Sequence, residues 1–158
     1  MTARAATLAD CAAIARIYNQ GIEDRVATFE TRLRSAGDIQ AWFDGAHPAI
    51  VVEEAGAVIA FAGTSLYRPR ECYAGVAECS VYVDRARRGR GAGRMALAAL
   101  HDAARAAGFH KLVSRVFPEN VASLAMLDTL GWRKVGVYHR HAKLDGAWRD
   151  VVVVEKIL

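Results

Sequence analysis

Between an alternating apolar stretch, GVAECSVYV, and an alanine-rich run, MALAALHDAARAA, the chain inserts DRARRGRGAGR (residues 84–94), with five arginines and three glycines. Glycine enters backbone conformations closed to other residues and lets the main chain approach a bound group closely. A helix that begins there presents unpaired N–H groups and roughly half a positive charge. Arginines on the same loop add charge-assisted, often bidentate bonds to phosphate. The stretch therefore predicts a strand, an anion-cradling turn and a helix in succession, with a phosphorylated ligand at the turn.

Spacing narrows the ligand. A dinucleotide fingerprint needs G-x-G-x-x-G, but Gly89, Gly91 and Gly93 give G-x-G-x-G, with Arg94 where the last glycine should stand. A phosphate-binding G-x-x-x-x-G-K-[ST] loop is absent. What fits is R-x-x-G-x-G over Arg88, Gly89, Arg90, Gly91, Ala92 and Gly93.

The rest of the chain supplies a framework. A strand is expected at 2–6, then a helix capped by Thr7 and Asp10, with Leu8, Ala12, Ala15, Ile17 and Tyr18 on its apolar face. TFETRLRSAGD is a loop leading to a second helix at 37–45. AIVVEEAGAVIAFAGTSLY is a hairpin turning at Ala55-Gly56. After the strand at 75–83 and the arginine–glycine loop, a helix over 91–107 stops at Gly108, and a strand follows at 111–117. Asn120 caps a further helix ending before Gly131, and strands at 132–143 and 148–157 close the chain. With no repeat and no linker, this reads as one domain over 1–158 with a mixed sheet covered by helices.

Composition excludes several classes. The net charge of +4 invites a nucleic-acid reading, but the dense basic cluster is confined to 85–94 and lacks interleaved stacking aromatics, so no nucleic-acid partner is expected. No apolar run approaches the roughly 20 residues that span a bilayer, so no membrane partner is expected. The odd set Cys11, Cys72 and Cys79, without a C-x-x-C pair, and an N-terminus lacking a secretory pattern suggest reduced thiols and a cytoplasmic protein. His139 and His141 are expected on one strand face, but without a third ligand they imply no metal. Met95, Leu97 and Leu100, at helical spacing, read as core.

The R-x-x-G-x-G loop resembles the acetyl-CoA pyrophosphate loop, [Q/R]-x-x-G-x-[G/A], of the GCN5-related N-acetyltransferases (GNAT). The opening ARAATLADCAAIARIYN is similar to that superfamily's, and PENVASLAMLDTLGWRKVGVY resembles its N-x-x-[SA]-x-x-[LF]-[YL]-x-x-x-G-[FW] segment. IEDRVATFETR, YRPRECYAGVAECSVYVD and LDGAWRDVVVVEK are similar to the phosphinothricin acetyltransferase branch, which includes arsinothricin and methionine sulfoximine enzymes. The resemblance implies an α/β (α+β mixed) fold: a mixed, mostly antiparallel twisted sheet of about seven strands with about four helices. It also implies acetyl-CoA as co-substrate, a small amine acceptor and a homodimer.

Residue by residue, the resemblance makes Arg88, Gly89, Arg90, Gly91, Ala92, Gly93 and Arg94 the pyrophosphate loop. Asn120 would bond the pantetheine arm, and Ser123 would face the cofactor near the sulfur. Val81 and Val83 would offer main-chain amides to the cofactor and the thioester. Amine acetylation needs a proton acceptor, and Glu78, mid-strand among apolar neighbours, is the candidate base. Arg70, rather than the nearby Arg68, would grip a second anionic group on an amino-acid acceptor, with Phe29 lining the pocket and Tyr73 adding a hydroxyl. The competing readings are acetylation of another amine, such as a peptide N-terminus or an aminoglycoside, and a non-catalytic CoA-binding module. An aminoglycoside pocket calls for acids, whereas the YRPREC loop carries two arginines against one glutamate.

Overall fold

A computed structural model describes all residues from Met1 to Leu158. The elements run β1 (Thr2–Ala5), α1 (Cys11–Asp24), α2 (Ala36–Gln40), β2 (Ala49–Glu54), β3 (Ala57–Leu66), β4 (Val76–Val83), α3 (Ala92–Ala106), β5 (Lys111–Val116), α4 (Val121–Thr129), β6 (Arg133–Leu144) and β7 (Ala147–Ile157). They form the mixed α/β architecture expected from the sequence, with seven strands in the order β1-β2-β3-β4-β5-β7-β6. Every neighbouring pair is antiparallel except β4 with β5.

Strand alternation, reset at Val58 by the bulge where Val52 pairs with Ala60 and Glu53 with Val58, divides the core between two faces. Val51, Val58 and Phe61 pack under α1 and α2, against Ile14, Ile17, Tyr18, Ile22 and Ile39. Ile50, Val52, Ala60 and Ala62 face the other way, against Ala96, Leu97 and Leu100 of α3 and Leu127 of α4. Met95 packs partly buried beside them. Gly21 lets α1 approach β4 closely, because a Cβ there would meet the Tyr82 ring at 2.8 Å.

Both two-residue hairpins use type I′ backbones, which match the right-handed strand twist. Ala55 and Gly56 have φ of 51° and 78°, and Asp145 and Gly146 have 50° and 78°. The Ala55-Gly56 turn is the one read from the sequence.

Three local expectations need correction. The second helix is only Ala36–Gln40, because Asp44 accepts bonds from the Ala46 and His47 amides and turns the chain away from a helix. Thr7 and Asp10 cap a short 3₁₀ turn that precedes α1, so Leu8 and Ala12 are exposed and Cys11 and Ile14 take the buried face. His139 and His141 do not share a strand face. The β6 register breaks between Tyr138 and Ala142, where Arg140 has φ 47°, so His139 meets Asp150 and His141 stacks on Tyr138 at 4.5 Å.

Candidate active site

The site grows out of the one parallel pairing. β4 and β5 pair only through Val76–Glu78 and Lys111–Val113. Beyond that point β4 continues against β3, and β5 continues against β7, so the two strands part. Ser114 Oγ donates to the Cys79 carbonyl at 2.9 Å in the opening. The Cys79 main chain therefore points away from β3. Because successive peptide groups on a strand alternate sides, those of Val81 and Val83 point the same way, where β5 no longer supplies partners.

A cleft of about 810 Å³ opens from this fork. Phe29, Glu78, Val81, Asn120 and Ser123 line it together. Phe29 sits edge-on to Phe117 at 4.8 Å. Asn120 Oδ1 accepts from the Ser123 amide at 3.2 Å, which fixes the start of α4 and leaves the Asn120 amino group free.

The arginine–glycine loop follows β4 directly. Gly89 and Gly91 adopt φ of 75° and 87°, with nothing within 4 Å of where a Cβ would sit. Met95 N–H bonds to the Gly91 carbonyl at 3.0 Å as α3 begins, and the Ala92, Gly93 and Arg94 amides lie ahead of that first helical bond. Gly93 serves packing instead, since a Cβ there would meet Val83 at 3.1 Å and Met126 at 3.4 Å. The loop arginines are partly committed within the chain: Arg87 and Arg90 pair with Glu54 and Arg88 with Asp24, at 3.1, 3.0 and 2.7 Å. The groups this turn leaves open are thus chiefly main chain.

Glu78 is not surrounded by apolar groups as the sequence suggested. Its carboxylate enters the cleft and pairs with Arg115, whose Nε lies 2.7 Å from Oε1. Cys79, its neighbour, is fully desolvated, and burial first and the Glu78 charge second push its thiol far above the ordinary range. It is a packing residue and no nucleophile.

Arg70 and Tyr73 do not reach the cleft. The loop after β3 closes into a 3₁₀ turn at Glu71–Tyr73, Tyr67 and Tyr73 meet edge-on at 5.6 Å, and the Arg70 guanidinium lies 5.9 Å from the Tyr73 ring centre. Tyr73 instead borders a separate cavity of about 310 Å³ with Cys72 and His110. Other groups that sequence reasoning missed do line the cleft: Tyr18, Arg34, Trp42, Tyr82 and Arg115; His141 lines it too. Tyr18 meets Trp42 and Tyr82 edge-on at 5.2 and 5.0 Å, giving an aromatic wall. Arg115 was visible in principle, since an arginine inside KLVSRVF is as out of place as a glutamate inside VAECSVYV.

The β4–β5 fork, the glycine turn and the start of α3 are neighbours in the fold, since a Cβ at Gly93 would meet Val83 at 3.1 Å and Val81 at 3.7 Å. The acetyltransferase (GNAT) family model matches residues 14–132, and the chain belongs to that family. L-methionine sulfoximine/L-methionine sulfone acetyltransferase of Salmonella typhimurium is 32% identical, over 98% of this chain and 93% of its own. A Brucella melitensis ribosomal-protein-alanine N-acetyltransferase structure superposes with a TM-score of 0.95 at 31% identity, over all of both chains. A Sinorhizobium meliloti phosphinothricin acetyltransferase, solved in complex with AcCoA, gives 0.92 at 30% identity, over 99% of this chain and 88% of that one. Within the family the chain falls in the phosphinothricin acetyltransferase-like branch, and it is an N-acetyltransferase.

Proposed function

We propose that the protein transfers the acetyl group of acetyl-CoA directly to the α-amine of a small amino acid of the phosphinothricin, arsinothricin or methionine sulfoximine type. The observation that carries this reading is the meeting, in one cleft, of Glu78, the Val81 main chain and the Asn120–Ser123 helix start. The residues fit the co-substrate. Gly89 and Gly91 leave room for a pyrophosphate at the open amides of α3, and the fork offers strand amides to a pantetheine arm.

In this reading Glu78 Oε2, which Arg115 leaves free, accepts the ammonium proton directly or through a water. The amine then attacks the thioester carbonyl, and a main-chain amide of β4 stabilises the charge developing on its oxygen. The CoA thiolate leaves without passing the acetyl group to the enzyme. The high-lying Cys79 thiol and the absence of another cysteine among the cleft-lining residues support that direct route. The reading includes a homodimer, which sedimentation of the purified chain tests.

The experiment is release of free thiol from acetyl-CoA with a panel of amines: L-phosphinothricin, L-methionine sulfoximine, L-methionine sulfone, an alanine-led peptide and an aminoglycoside. The expected result is turnover of the amino acids well above the peptide and the aminoglycoside. Turnover confined to the peptide overturns the acceptor class but keeps the reaction, and no thiol release with any amine overturns both.

A further inference from the structure

The α-carboxylate of an amino-acid acceptor calls for a cation of its own, and two arginines line the cavity, Arg34 and Arg115. Arg34 is already occupied. Its Nη2 bonds to Glu30 at 2.8 Å, its Nη1 bonds to the Arg32 carbonyl, and its guanidinium lies 6.0 Å from the Tyr18 ring centre. Its side chain is only 14% exposed.

Arg115 is held differently. Glu78 and Val113 are register partners across the parallel pair, and Arg115, two residues beyond Val113, projects from the same face of the sheet over the fork. Its Nε and Nη2 both meet one carboxylate oxygen, Glu78 Oε1. A guanidinium carries five N–H donors. The Nη1 pair and the second Nη2 hydrogen therefore remain without a protein acceptor, and with the side chain 44% exposed they can meet a ligand in the cleft.

Resting on the proposed amino-acid acceptor, we propose that Arg115 is the clamp for the acceptor's α-carboxylate. It holds Glu78 through its Nε edge and the acceptor through its Nη1–Nη2 end. In an α-amino acid the carboxylate and the ammonium share one carbon. A cation fastened directly to the base therefore places the ammonium beside the carboxylate that takes its proton. The pairing also sets the substrate class: a free amino acid satisfies both partners, whereas a peptide N-terminus or an aminoglycoside amine brings no carboxylate to the free end of the guanidinium.

The test compares L-methionine sulfone with its α-carboxamide, which keeps the amine and loses the carboxylate charge, on the wild type, Arg115→Met and Arg115→Lys. Charge-assisted hydrogen bonds of this kind correspond to a preference of about 10- to 100-fold. The wild type should favour the acid by that factor in kcat/KM. Arg115→Met should abolish the preference, chiefly by raising KM for the acid, with KM for acetyl-CoA unchanged. Arg115→Lys should restore it in part, since a point charge attracts a carboxylate without the bidentate fit. If Arg115→Met slows acid and amide alike, Arg115 serves only to hold Glu78 and the clamp is overturned. Persistence of the acid preference overturns it equally. A wild type that turns over the alanine-led peptide but neither probe overturns the acceptor class, and the clamp with it.

Discussion

Ser114 Oγ donates to the Cys79 carbonyl at 2.9 Å, bridging β4 and β5 where their ladder ends. The serine is buried, so without it that carbonyl would lose its partner in an apolar setting. Ser114→Ala should therefore cost about 1–3 kcal/mol of stability, the usual penalty for a stranded buried acceptor. Because the same bond fixes the mouth of the fork, KM for acetyl-CoA should rise as well. Urea unfolding and initial-rate kinetics on one preparation check both. An unchanged KM in a destabilised variant would make the bond structural only.

The glycine turn gives the second prediction. Gly91 has φ 87°, which strains any side chain, but an open space where a Cβ would sit, so no packing contact excludes one there. Gly91→Val should raise KM for acetyl-CoA by about tenfold or more, through both backbone strain and blockage of the anion's approach. KM for the acceptor should change little. A circular dichroism melt confirms that the variant is folded, and an unaltered acetyl-CoA KM would exclude the cradle.

Gly21 answers to packing alone. A methyl group there would stand 2.8 Å from the Tyr82 ring, whose other neighbours are Tyr18 and Phe61. Gly21→Ala gains helix propensity of about 1 kcal/mol but overpacks α1 against β4 by about 1–3 kcal/mol. The expected net result is a loss of stability, read from the midpoint of a urea titration.

Much of this arrangement was legible in the sequence because the relevant signals are local. The Ala55-Gly56 turn, the arginine–glycine loop and the Asn120 cap each depend on a few adjacent residues, and each stands where the pattern put it. The cleft's electrostatics were not legible in the same way. Arg115 reaches Glu78 across 37 positions through a parallel pairing of only three residues per strand, which no periodicity announces. Arg70 lies near Glu78 in sequence, yet the 3₁₀ turn at Glu71–Tyr73 carries it elsewhere. Likewise, the double bulge around Arg140 separates His139 from His141, which simple alternation would have placed together.

Asp10 links the first strand to acid stability. Its hydrogen bonds with Arg4 hold its carboxyl down to about 2 from an ordinary 3.8, against the opposing effect of burial. The folded state thus takes up that proton at lower pH than the unfolded chain does. The stabilisation is complete above about pH 4 and fades as pH falls through about 2, amounting to about 2 kcal/mol when whole. Asp10→Asn should be less stable than wild type by roughly that amount at pH 7, with the gap closing between pH 4 and pH 2. Urea midpoints across that range decide it, and a gap independent of pH would assign the role to packing.

The catalytic prediction falls on Glu78. Its carboxylate lines the cleft with Oε1 committed to Arg115 and Oε2 open. Glu78→Gln preserves the shape but takes no proton, so kcat at neutral pH should fall by about 10²–10³, the range for loss of a general base. The acceptor is an ammonium at that pH, and raising the pH supplies free amine without help from the enzyme. The deficit should therefore narrow as pH rises toward the amine's own pKa. Glutamine also leaves the Arg115 guanidinium without its countercharge, so the acceptor's KM is measured alongside. A tighter KM with a lower kcat would be expected if the arginine, freed from Glu78, gripped the acceptor's carboxylate more strongly. A kcat deficit that stays constant across the pH range would show that Glu78 orients Arg115 and takes no proton from the amine.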